Sequence, residues 1–126
     1  MSSVSTTATE QFVGAILARD FARACSFLDP AVDFRGMTPK RIWEADAPAA
    51  VEEVLRAWFE HPEREVERVE AIEPGSLEDT LRVGWRVHGQ GADGPFVFEQ
   101  QAYAREDSER IVWLRVMCTG PRPVRL

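Results

Sequence analysis

From Leu81 to Cys118 the chain reads LRVGWRVHGQGADGPFVFEQQAYAREDSERIVWLRVMC. Leu81, Val83, Trp85 and Val87 alternate with Arg82, Gly84, Arg86 and His88, the period of two that marks a strand with one buried face. Gly91-Ala92-Asp93-Gly94 has the composition of a hairpin turn, and a second strand, PFVFEQQAYAR, follows from Pro95. Glu106–Glu109 turns that strand into a third, RIVWLRVMC, from Arg110. Three consecutive antiparallel strands at the end of a chain whose first half is helical set the class as α+β.

Working back from this meander, Glu65–Ile72 carries Val66, Val69 and Ile72 at imperfect strand spacing, as expected of a bulged or edge strand. Glu73-Pro74-Gly75-Ser76 reads as the turn that leads out of it. Thr7-Ala8-Thr9-Glu10 has capping-box spacing and opens a helix with Phe12, Val13, Ile16 and Leu17 on one stripe. Asp20 is placed to cap a second helix, with Phe21, Ala24, Cys25 and Leu28 at helical intervals, which Asp29-Pro30 ends. Ala31–Arg35 is extended, and Gly36 to Ala47 reads as loop with Trp43 its one large apolar residue. Asp46 and Pro48 start a third helix with Val51, Val54, Leu55 and Trp58 on its buried face, and His61-Pro62 stops it.

Composition narrows the function classes. With 126 residues, 44% of them hydrophobic, the chain forms one domain over 1–126 with a sizeable core. A net charge of −6 is unsuited to a nucleic-acid backbone. No apolar run is long enough to span a bilayer, so no membrane contact is expected. MSSVSTTATE has neither a basic nor an apolar signal region, so a cytoplasmic location is expected. Residues 1–6 and the Pro-rich 119–126 read as flexible tails. Cys25 and Cys118, with His61 and His88, have no ligand spacing, so neither a metal nor a cofactor is expected. The glycines around Gln90 lie between strands and do not precede a helix, which excludes a phosphate cradle.

Periodicity leaves open which strand faces look inward. Phe98, Gln100, Ala102 and Ala104 share one face of the second meander strand; Val97, Glu99, Gln101 and Tyr103 share the other. The order helix, helix, strand, helix, meander resembles the NTF2-like superfamily, in particular its SnoaL-like branch of ketosteroid isomerases, polyketide cyclases and limonene epoxide hydrolase. The pieces that carry the likeness are Arg19-Asp20-Phe21, Ala31-Val32-Asp33-Phe34-Arg35 and the hairpin ending Glu109-Arg110-Ile111-Val112, where Glu109 stands in place of the usual glycine. The resemblance implies an NTF2-like cone, a curved antiparallel sheet wrapped around three N-terminal helices, with a cavity at its open end.

It further implies that Leu81, Val83 and Trp85 face the cavity, with Glu99, Gln101 and Tyr103 and with Leu114, Val116 and Cys118. Phe34 would enter from the first strand and Trp58 from the third helix, with Trp43 at the mouth. Arg86, His88, Gln100, Trp113, Arg115 and Met117 would lie outside, where Trp113 and Met117 suit a homodimer face. Steroid isomerases use a carboxylate base, a tyrosine and a protonated aspartic acid. In this chain those positions fall near Phe34 (or Asp33), Phe12 and Gln101, so that chemistry is excluded.

Glu99 is the acid/base candidate, since desolvation inside an apolar pocket would raise its pKa, and Gln101 and Tyr103 would orient a substrate. The competing reading is a strand glutamate paired with an arginine next door. Asp33 reads as solvated and Cys118 as a small buried side chain. Two functions are therefore expected. One is a protein that binds a small hydrophobic or amphipathic molecule in the cone, with isomerase-, cyclase- or hydratase-type acid/base catalysis if Glu99 faces inward. The other is a non-catalytic dimeric binding or protein-interaction module.

Overall fold

A computed structural model describes residues 7–124, so the expectations for 1–6 and for the last two residues lie outside the described part. Helix α1 (Ala8–Leu17) starts in the capping box read from the sequence: Glu10 N–H donates to Thr7 Oγ1 at 3.0 Å, and the Glu10 carboxylate accepts from Thr7 N–H at 3.4 Å. Asp20 caps α2 (Phe21–Cys25) by accepting from the Arg23 N–H at 3.1 Å. This helix stops a turn earlier than its periodicity suggests. Ile111 N–H donates to the Phe27 carbonyl, and Leu28 enters a ladder with Ile111, so sheet pairing overrides the local helical pattern.

Strand β1 (Leu28–Thr38) consequently includes Pro30, which the ladder tolerates because its register shifts between Leu28 and Asp33. The loop expected from Gly36 to Ala47 is instead the end of β1, a tight turn at Pro39-Lys40 and a short β2 (Arg41–Ala45). Helix α3 (Pro48–Phe59) opens with Pro48, but Asp46 plays no capping part, since its N-cap is Ala47 with no side-chain bond. Val51, Val54, Leu55, Trp58 and Phe59 form its buried face.

Strand β3 (Arg64–Leu77) lies at the sheet edge and is bulged twice. The expected turn at Glu73–Ser76 is a bulge within that strand, and the chain reverses at Glu78-Asp79, where Glu78 has φ 53°. Strands β4 (Thr80–Gly91), β5 (Gly94–Asp107) and β6 (Arg110–Cys118) form the meander. The curved, unclosed sheet runs β2-β1-β6-β5-β4-β3. Every neighbouring pair is antiparallel except β1 and β6, which run parallel. The helices pack on its inner face around Phe12, Ile16, Phe21, Phe34, Leu55 and Trp85. No helix among the described residues is long and apolar enough to cross a membrane.

The tail expected to leave the sheet stays with it. Thr119 N–H donates to the Glu99 carbonyl at 3.0 Å, and β7 (Arg122–Pro123) pairs with Phe96 and Val97. Proline here costs no ladder bond because β7 is a two-residue edge piece. Gly120, at φ 75°, makes the corner so close to Pro39 that a Cβ there would lie 2.8 Å from its ring.

Candidate binding cleft

The register of the β4–β5 hairpin decides which side chains point inward. Gly91 pairs with Gly94 across the two-residue turn Ala92-Asp93, so Trp85 lies opposite Gln100 and Val83 opposite Ala102. Residues directly opposite share a face. Phe96, Phe98, Gln100, Ala102 and Ala104 are therefore the buried set of β5, and Glu99, Gln101 and Tyr103 point outward. This corrects the inner strip inferred from family resemblance, and it moves Gln100 from the outer face to the inner one. The turn length carried the signal, as did the greater apolar content of the even-numbered positions.

Outside, Arg86 Nη2 donates to Glu99 Oε1 at 2.9 Å and Gln101 Nε2 donates to Glu99 Oε2 at 3.2 Å. The guanidinium first, then the amide, holds the Glu99 carboxyl below the ordinary carboxylate range. The expected upward shift is reversed, because the carboxylate is paired and not stranded in an apolar pocket. Glu70 joins the same network, with Arg68, Arg86 and the His88 ring each at 3.1 Å. Asp33 is likewise outside, paired with Arg115 at 3.2 Å. Trp113 is only half-buried, with the Arg105 and Arg115 guanidiniums over its ring at 4.4 and 4.5 Å, whereas Met117 is exposed.

Inside, Phe34, Val83, Trp85, Leu114 and Val116 face the helices as expected, but they are packed into the core. The open space lies nearer the mouth. A cleft of about 490 Å³ is bounded by Thr38, Pro39, Arg41 and Trp43 of the β1–β2 hairpin and by Ala57 and Trp58 of α3. His61, Arg64, Phe98, Gln100 and Cys118 close its other sides, and Gly120-Pro121 of the tail crosses it. Trp43 stands edge-on to Trp58 with ring centres 5.9 Å apart, and its indole N–H donates to Thr38 Oγ1 at 2.8 Å. Gly36 admits the Trp58 ring, since a Cβ there would come within 2.5 Å of it.

Two buried donors in residues that line this cleft have no acceptor. Trp85 Nε1 donates to Gln100 Oε1 at 2.7 Å, which orients the buried amide and leaves Gln100 Nε2 unpartnered. The indole nitrogen of Trp58 is also buried without a partner. Such groups are rare in native interiors, and each costs about 1–3 kcal/mol when left unsatisfied. No aspartate or glutamate lines the cleft, and its ionisable side chains are Arg41, Arg64, His61 and Cys118. His61 Nδ1 accepts from the Glu63 N–H at 3.1 Å, and Cys118 Sγ accepts from the Gly120 N–H at 3.4 Å. Among the described residues, no three His, Cys, Asp or Glu side chains gather as a metal site would require.

No family model and no curated protein matches the chain. Its likeness is to solved structures. An NTF2-like protein of Burkholderia thailandensis superposes with TM-score 0.71 at 15% identity, over 90% of this chain and 92% of that one. A protein of Catenulispora acidiphila with a ketosteroid isomerase-like fold, solved with trimethylamine, gives TM-score 0.67 at 10% identity, over 90% and 85% of the two chains. An LEH-like epoxide hydrolase of M. tuberculosis gives 0.61 at 15% identity, over 88% and 79%. At these identities the likeness is one of architecture: the chain has the NTF2-like fold that its sequence resembles.

Proposed function

We propose that the protein binds a small, largely apolar molecule in the cleft between the β1–β2 hairpin, α3 and β5, and recognises it through an oxygen acceptor. The observation that carries this is the pair of unpartnered buried donors, Trp58 Nε1 and Gln100 Nε2, in residues that line the same cleft. Aromatic walls with a few placed polar groups are the usual make-up of small-molecule sites. Both nitrogens are screened from water, so the acceptor engages them through a small side-chain adjustment at the cleft floor. With Glu99 outside, no carboxylate base serves this cleft. Binding is thus the primary reading.

Calorimetric titration with butyrophenone and with butylbenzene, which lacks the carbonyl, tests it. The ketone should bind about tenfold tighter, the worth of one recovered buried hydrogen bond. Trp58→Phe and Gln100→Leu should each reduce that margin. Equal affinity for the two compounds would remove the proposal.

The second reading, an interface between two copies through the outer sheet face, rests on a separate observation. Met117, Met37 and Ile42 are aligned across β6, β1 and β2, and they are 52%, 49% and 63% exposed. This stripe, more than the arginine-covered Trp113, would form the contact. Sedimentation of the wild type against Met37→Glu/Met117→Glu tests it. A wild-type monomer at all concentrations would exclude it.

A further inference from the structure

We propose that the ligand is an organic carboxylate whose anionic end is held at the mouth of the cleft by Arg41 and Arg64; this rests on the cleft being the binding site. The chain as a whole carries 21 acidic and 15 basic residues, yet this cleft is lined by two arginines and a histidine and by no acid. Most other arginines in the sheet and α3 are already committed to carboxylates, as Arg86 is to Glu70 and Glu99, Arg56 to Glu52 and Glu60, and Arg115 to Asp33. Among the described residues Arg41 and Arg64 have no such partner. The adjoining pocket, which shares His61, Arg64 and Pro121, is lined by Glu63 and Asp93 as well as Arg122, so its charge is mixed and the acid-free lining is that of the cleft itself.

Arg41 adds a reason to prefer an anion over a cation. Its guanidinium lies over the Trp43 ring, 3.4 Å from the centroid. Stacking there restrains the side chain while leaving its in-plane N–H groups free, the arrangement suited to gripping a carboxylate with two parallel bonds. It also occupies one face of that ring, which is then closed to a ligand ammonium. The ligand that fits is an aryl or alkyl carboxylic acid with a second oxygen further along its apolar body. Its carboxylate meets Arg41 and Arg64, and its second oxygen meets Trp58 and Gln100.

Four probes test this by calorimetry on the full chain: 4-oxo-4-phenylbutyrate, its primary amide, 4-phenylbutyrate, and the tertiary amine 4-(dimethylamino)-1-phenylbutan-1-one, which cannot condense with its own ketone. The keto acid should bind at least about tenfold tighter than the keto amide, in keeping with a charge-assisted bond, and the amine should bind weakest. Arg41→Gln and Arg64→Gln should each erase most of that margin, and Arg64→Lys should restore part of it. Unchanged far-ultraviolet dichroism would show that the variants are folded. If keto acid and keto amide bind alike while both exceed 4-phenylbutyrate, the carboxylate assignment falls and the acceptor-binding floor stands. If the keto acid has no advantage over 4-phenylbutyrate, the floor is what fails. Tightest binding of the amine, or no binding of any probe, overturns the proposal.

Discussion

The indole N–H of Trp85 donates to the side-chain oxygen of Gln100 at 2.7 Å, between two fully buried side chains on adjacent strands. That bond turns the Gln100 amide so that its nitrogen is left without an acceptor, in a residue that lines the cleft. One cross-strand pair therefore supports the β4–β5 register and orients a polar side chain of the cleft lining.

The pair should be energetically coupled. Gln100→Leu strands the Trp85 N–H, whereas in a Trp85→Phe background the same change strands nothing. Urea unfolding of the four proteins in the cycle should give a coupling energy of about 1 kcal/mol. A value indistinguishable from zero would mean that the bond does not contribute in solution.

Glu99 and Glu70 should matter to acid stability and not to the cleft. Arg86 and Gln101 lower the Glu99 pKa, and His88 followed by Arg86 lowers that of Glu70. A depressed carboxyl stabilises the fold above its unfolded value, near 4.5, and that contribution disappears as the pH falls through the folded value. Arg86→Gln should therefore lower the thermal midpoint at neutral pH, and the two proteins should converge in acid. The gap should be modest and shrink in high salt, because the network is exposed. Glu99→Gln should leave butyrophenone affinity within about twofold; a loss beyond tenfold would return Glu99 to the site.

The two thiols should differ sharply in reactivity. Burial first, then the nearby Glu52 carboxylate, pushes the Cys25 thiol up to about 12, so it carries almost no thiolate at neutral pH. Cys118 is half-buried and lines the cleft. Titration of the native protein with an aromatic disulfide should modify Cys118 first, with Cys25 reacting only after denaturation, as peptide mass spectrometry would show. Prior labelling of Cys25 would contradict the burial described here.

The β5–β6 turn carries avoidable strain. Ser108 and Glu109 have φ of 52° and 65°, and neither is glycine. The left-handed conformation costs an L-residue about 1 kcal/mol, part of which glycine returns as unfolded-chain entropy. Glu109→Gly should thus stabilise the protein by about 0.5 kcal/mol in urea unfolding. A clear loss of stability would show that the Glu109 side chain contributes to the fold.

The readable parts of this chain are those governed by residues close together in sequence. Thr7 and Glu10 announce a helix start that forms as written, and Leu81, Val83, Trp85 and Val87 declare which face of β4 is apolar. The β5 face was also within reach, because a two-residue turn at Ala92-Asp93 places Gln100 opposite Trp85 without further information. The family register instead implies Glu99, Gln101 and Tyr103 inside, which the hairpin register contradicts. The early end of α2 and the β1–β2 hairpin were less accessible. Leu28 leaves its helical stripe for a parallel partner, Ile111, far along the chain, and Arg41–Ala45 has no alternating apolar pattern to mark it as a strand.

By itself, then, the sequence determined the starts of the three helices, the strands of the meander, the α+β order and the apolar faces of the helices and of β4, since caps, turns and periodicity act over a few residues. Only the tertiary structure decided what the cleft contains. Arg41 and Arg64 are brought to it by different strands, Trp58 by a helix and Gln100 by the meander, while the tail turns at Gly120 to cross it. Their convergence depends on sheet curvature and on pairing between distant segments, and no local pattern encodes either.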